Sequence, residues 1–168
     1  MANVGLRTKR GSGKRAARPS ARSRATRARS RATKARPQPS RPRQSFVVSH
    51  LDERDFKAGG LRDYVEYRDL GIGKATNGMV LAHVLRFVKS CDPKVVSKQH
   101  LHDVDFQMVY VLEGWIKSEF EGQGAHVMKA GDAWIQPPRI KHKVLDYSDD
   151  CRLLEIVMPA EFETVELE

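Results

Sequence analysis

At 168 residues the chain is long enough for one domain with a proper core and short for two. Its formal charge of +9 is placed unevenly: residues 1–45 hold fifteen of the thirty Lys and Arg and none of the twenty-one Asp and Glu, so this tail is near +15 and the remainder near −6. Cys91 and Cys151 form no CxxC pair, which argues against a disulfide scaffold or a thiolate zinc site. No apolar run is long enough for a bilayer and no secretory leader is visible, so the expectation is a soluble, cytoplasmic protein with free buried thiols and no membrane partner.

Residues 1–45 are Arg, Ala, Ser, Thr and Pro with almost nothing to bury, and the segment is expected to be disordered. Within it SRATRAR (23–29) is repeated at once as SRATKAR (30–36), but alanine alone cannot fill a coiled-coil seam. Three readings of the tail stay open: a solvated extension, a non-specific and salt-dependent contact with nucleic acid, and a transit peptide, against which the prolines at 19, 37, 39 and 42 argue.

Residues 46–168 are the expected folded domain. After a short helical turn around 51–60, the chain reads as brief extended segments with turn chemistry between them. YVEYRDL is followed by GIGKATNG, whose Asn77-Gly78 signals a hairpin, and then by VLAHVLRFV, FQMVYVLEG, WIKSEFE, AHVMKAGD, AWIQPP, KHKVLDYS and CRLLEIVMP. Such spacing predicts an all-β, antiparallel sandwich or barrel.

His100 and His102 lie one residue apart, so on a strand both imidazoles leave the same face and can fill adjacent corners of a metal's coordination sphere. Along FQMVYVLEG, an inward Gln107 brings Val109 and Val111 inward with it. Phe106, Met108, Tyr110 and Leu112 then form an unusually apolar opposite face that the N-terminal strands or another subunit could cover. His126 shares parity with Met128; His50 and His83 carry no motif and receive no role.

Two stretches, HLHDVDFQMVYVLEG (100–114) and GDAWIQPPRIKHKVLD (131–146), resemble the paired motifs of the cupin superfamily, G-x5-H-x-H-x3–4-E-x6-G and G-x5-P-x-G-x2-H-x3-N. His100, His102, Gly114, Gly131, Pro137 and His142 fall at matching spacings. The departures are Lys94 for the leading Gly, Gln107 for the carboxylate, Arg139 for the second Gly of the second motif, and Asp146 for its closing Asn.

The resemblance implies a small single-domain cupin, a jelly-roll barrel with a divalent metal at its mouth. Its ligands would be His100, His102 and His142, with Gln107 as a neutral fourth or as a hydrogen-bonding neighbour. Gln136, Trp134, Asp146 and His126 are the further pocket candidates. Iron(II) is the first choice of ion, with manganese, nickel or zinc behind it. The functions implied are a metal-dependent enzyme of dioxygenase type acting on a small molecule, a non-catalytic ligand-binding module, or a metal-free epimerase or isomerase. A homodimer is expected.

Overall fold

The computed structural model describes residues 43–59 and 62–167, so the expectations placed on residues 1–42 lie outside it. In chain order the described strands are β1 (Lys57–Ala58), β2 (Val65–Asp69), β3 (Leu81–Phe87), β4 (His100–Asp103), β5 (Phe106–Glu113), β6 (Trp115–Phe120), β7 (Gly124–Lys129), β8 (Ala133–Ile135), β9 (His142–Tyr147), β10 (Arg152–Met158) and β11 (Glu163–Glu166). They form two antiparallel sheets, β1-β2-β3-β10-β5-β8 and β11-β4-β9-β6-β7, the antiparallel sandwich expected from the spacing of the segments and the jelly roll that the resemblance implies.

Period-two burial explains why the sheets face each other. In β6, Ile116, Ser118 and Phe120 point inward and alternate with half-buried neighbours; in β5 the inward set is Gln107, Val109 and Val111. Each large apolar side chain taken fully out of water contributes about 1.5–3 kcal/mol. Tyr64, Phe87 and Tyr147 pack as an aromatic cluster with centroids 4.3–6.2 Å apart, and Val96, Val111, Cys151 and Leu153 pack with them. Burial pushes the Cys91 thiol up to about 11 and Cys151 up to about 12, as suits free structural cysteines.

Helix is limited to single turns, as expected, although at more places than 51–60. A 3-10 turn spans Glu53–Asp55 with Asp52 as its cap, and α1 (Ile72–Ala75) and α2 (Pro93–Val96) are one turn each. α2 starts because Asp92 accepts from the Lys94 amide and Pro93 takes the first helical position. β2 and β3 do pair as a hairpin, but through α1 and not a two-residue turn. Asn77 and Gly78 end that helix, both with positive φ. Among the described residues no helix is long and apolar enough to cross a membrane.

The start of the domain is tied down by polar contacts. The Ser45 amide donates to the Ala75 carbonyl (2.7 Å), and the buried Arg68 guanidinium donates to Ser49 Oγ (2.9 Å) and the His50 carbonyl (3.0 Å). Two motif positions show why their backbone matters. Gly114 has φ +67, and a Cβ there would stand 2.2 Å from Ser148 Oγ and 3.1 Å from the Cys151 Cα, so a side chain is excluded. Arg139, where the motif has glycine, keeps the left-handed conformation at φ 62; its amide donates to the His102 carbonyl (3.0 Å) and its guanidinium lies 3.3 Å from Asp103. The turn therefore survives the departure, with the short strain of a non-glycine residue in that region.

Candidate metal centre

β4 and β9 are paired at one point, His100 opposite His142. That register, together with the two-residue repeat of β4, brings three rings to one place. Centroids are 4.2 Å apart for His100 and His142, 5.1 Å for His100 and His102, and 5.1 Å for His102 and His142. One nitrogen from each ring lies within 4.8 Å of the other two.

The outer nitrogens are held by acceptors. His142 Nδ1 lies 2.9 Å from the Ile140 carbonyl, His100 Nδ1 3.0 Å from the Lys98 carbonyl, and His102 Nδ1 2.9 Å from Thr164 Oγ1. A carbonyl only accepts, so Nδ1 of His100 and His142 carries the hydrogen and Nε2 presents a bare lone pair. Arg62 also comes within 3.1 Å of His100 Nδ1, a contact that cannot be a hydrogen bond while that nitrogen donates to Lys98. The rings are neutral as well. Burial first, then the neighbouring His142, pushes His100 down to about 3; burial pushes His102 down to about 4 against the pull of Glu155; burial lowers His142.

Gln107 is almost fully buried and lines the same cavity from the facing sheet. Its Nε2 donates to Glu155 Oε1 (2.5 Å), and among the described residues nothing donates to its Oε1. Glu155 was not singled out by the sequence reading. It stands inward on β10 between buried Leu153 and Val157, opposite Val109 and His83, and its second oxygen is 2.5 Å from His83 Nε2. Burial would raise the Glu155 acid, but the hydrogen bond and charge of His83 and the Gln107 amide outweigh it and hold the carboxyl below its ordinary range. A signal for it existed: one glutamate in the run RLLEIVM, in phase with the inward Leu153 and Val157. Arg62, His83, Phe162 and Thr164 also line the cavity and had no local motif to announce them.

Of the four further candidates, the structure brings two to the cavity. Trp134 Nε1–H donates to Gln136 Oε1 (3.1 Å), which orients the amide so that Gln136 Nε2 donates to His142 Nε2 (3.2 Å). Asp146 does not line it. β9 carries a bulge, with Ser118 opposite Val144 and Lys117 opposite Asp146, so the extra residue breaks the parity that was to put Asp146 on the face of His142. His126 does not line it either: the ring sits in an exposed stretch of β7, contacts the Gln123 carbonyl (3.1 Å), and borders a separate groove.

The cavity holds about 480 Å³, with walls of Tyr67, Leu85, Val109, Ile116, Val144 and Leu153. Three neutral, converging imidazoles whose outer nitrogens are held, two by backbone carbonyls and one by the Thr164 hydroxyl, fit a divalent transition ion of the zinc, iron or nickel type. An all-oxygen calcium site would need quite different donors.

Comparison with known proteins agrees with this fold. Residues 88–157 match the cupin domain family model, and the fold is that of an RmlC-like cupin barrel. Among solved structures, KdgF from Halomonas sp. is 18% identical over 67% of this chain and 96% of its own, with a TM-score of 0.52. The polyketide cyclase RemF from Streptomyces resistomycificus is 19% identical over 73% and 87%, with a TM-score of 0.55. An RmlC-like cupin from Shewanella frigidimarina is 22% identical over 71% and 96%, with a TM-score of 0.52. At these identities the likeness is one of fold. The sequence matches no curated protein.

Proposed function

We propose that this cupin is a metal-dependent enzyme acting on a small, largely apolar molecule, with His100, His102 and His142 holding a divalent ion, iron(II) foremost. The observation that carries the reading is the convergence of three neutral rings whose outer nitrogens are held at 2.9–3.0 Å, two of them by backbone carbonyls. When bound, the ion supplies Lewis acidity and, as iron, the one-electron chemistry that dioxygenase-type reactions use. The chain's own residues do the rest. Apolar walls exclude water and receive the body of the substrate, while Gln136 and Arg62 offer donors that orient its polar end. Cavity-lining carboxylate is confined, among the described residues, to Glu155, already engaged by His83 and Gln107.

A non-catalytic binding module is the second reading, favoured by Gln107, because the neutral amide is turned toward Glu155 and leaves the site without an ionised ligand. Elemental analysis of protein purified without an affinity tag distinguishes the outcomes. Stoichiometric metal that vanishes in the His100→Ala/His102→Ala variant is expected, together with oxygen consumption on a panel of small aromatic and hydroxylated substrates. Bound ligand without turnover would favour the module, and activity surviving chelation would overturn the metal reading.

We also propose that the chain pairs with a second copy through the outer face of the sheet containing β5. There Met108, Tyr110, Leu154, Ile156 and Ile135 are cross-strand neighbours, and Tyr110 and Ile135 are exposed. Light scattering at micromolar concentration should return twice the chain mass, and Tyr110→Lys should halve it.

A further inference from the structure

Position 107 is where the related motif carries a carboxylate, and here it carries an amide. The missing charge has a counterpart one strand away. Glu155 enters the cavity from β10, where Val157 pairs with Gln107 and Glu155 pairs with Val109. Its Oε1 accepts from Gln107 Nε2 at 2.5 Å, and its Oε2 is 2.5 Å from His83 Nε2. A largely buried carboxylate in an otherwise apolar strand is weak evidence for stability, since a well-packed hydrophobic residue would serve that end as well. Its orientation of Gln107 is more telling: the amide nitrogen is committed to the carboxylate, so the amide oxygen turns the other way, and no described residue donates to it. A neutral three-imidazole cluster leaves the full charge of a divalent ion uncompensated, and Glu155 is the one acidic side chain lining the cavity among the described residues.

We propose that Glu155 is the acidic determinant of the metal centre. It replaces from the neighbouring strand the carboxylate absent at position 107, and acts on the ion as a positioning and charge-balancing group through Gln107, with His83 holding it in place. Residues that orient ligands from behind alter metal affinity about 10- to 100-fold when removed. The proposal rests on the three histidines binding metal, and the experiment separates the two claims.

Zinc and cobalt(II) are titrated into the tag-free full chain and into Glu155→Gln and Gln107→Glu/Glu155→Gln variants, with affinity read by calorimetry and the cobalt absorption spectrum, and folding by circular dichroism. Glu155→Gln should bind about 10- to 100-fold more weakly. The exchange variant, which keeps one carboxylate and one amide in the pair, should bind at least as well as the wild-type protein. Wild-type affinity in Glu155→Gln, or weakened binding in the exchange variant, overturns the inference. Should Glu155→Gln fail to fold, the exchange variant decides. Absence of binding by the wild-type protein would instead refute the metal reading on which this one stands.

Discussion

The two ends of the barrel are made from the same strands and obey different physics. β9 runs from His142 at the cavity to Tyr147 in the aromatic cluster, β5 from Gln107 to Val111, and β10, just after Cys151, from Leu153 to Glu155. At the closed end the contacts are apolar and tolerant of direction: Val111 and Cys151 are fully excluded from solvent, and the Tyr147 hydroxyl is satisfied by the Lys89 carbonyl (3.0 Å). At the open end buried polar groups stand among apolar walls, and the histidine rings, Gln136 and the Gln107 amide nitrogen are each held by a specific partner, as the cost of an unpaired polar group favours. The closed end is thus where stability comes from. The open end spends some of it on holding neutral imidazoles and a carboxylate in fixed orientations.

That contrast can be broken most sharply from the closed end. Tyr147→Ala removes an aromatic whose centroid is 4.3 Å from Phe87 and should lower unfolding free energy by about 3–5 kcal/mol, as for other buried aromatics. Urea denaturation measures the loss, and metal stoichiometry of the folded fraction should be unchanged. A variant that folds normally but cannot bind metal would contradict the division of labour.

Acid should act through the open end. The three rings have folded values below the ordinary 6.5, about 3 for His100 and about 4 for His102, so the unfolded chain binds more protons between those limits. Stability of the metal-free protein is therefore level above about pH 7 and falls as pH drops from 6.5 toward 4, each ring removing up to about 1.4 kcal/mol per pH unit. Denaturation in the presence of chelator from pH 8 to 4 checks the slope, which should flatten in the His100→Ala/His102→Ala variant.

Smaller effects should follow at Gln136. Its amide donates to the same His142 lone pair that an ion would use. Metal binding must therefore release it, and with a Trp115→Phe background the emission of Trp134 should change on titration. Gln136→Leu removes the competing hydrogen bond, worth about 0.5–1.5 kcal/mol, and should tighten metal binding by roughly 2- to 10-fold. Least of all, Arg139→Gly relieves a left-handed residue at φ 62 while loosening the unfolded chain, for a net gain below about 1 kcal/mol in thermal denaturation.

Much of this was legible before any coordinates. The one-residue spacing of His100 and His102, the parity of Gln107, Val109 and Val111, and the turn glycines follow from the two-residue repeat of a strand and from backbone sterics, which are local properties. The same local logic failed for Asp146, because a bulge inserts one residue between His142 and Tyr147 and no pattern in KHKVLDYS marks it. It assigned nothing to His83 and passed over Glu155, whose meaning depends on partners 72 and 48 residues away.

By itself, then, the order of residues determined that short strands alternate inward and outward faces and that His100 and His102 share one, while His142 joined them through the resemblance to the cupin motifs. Only the tertiary structure decided which nitrogens face carbonyls, that Gln107 turns its amide to Glu155, and that Trp134 aims Gln136 at His142. The reason is physical: side-chain parity is set within one strand, whereas a hydrogen-bond partner is set by which strands lie side by side and in what register.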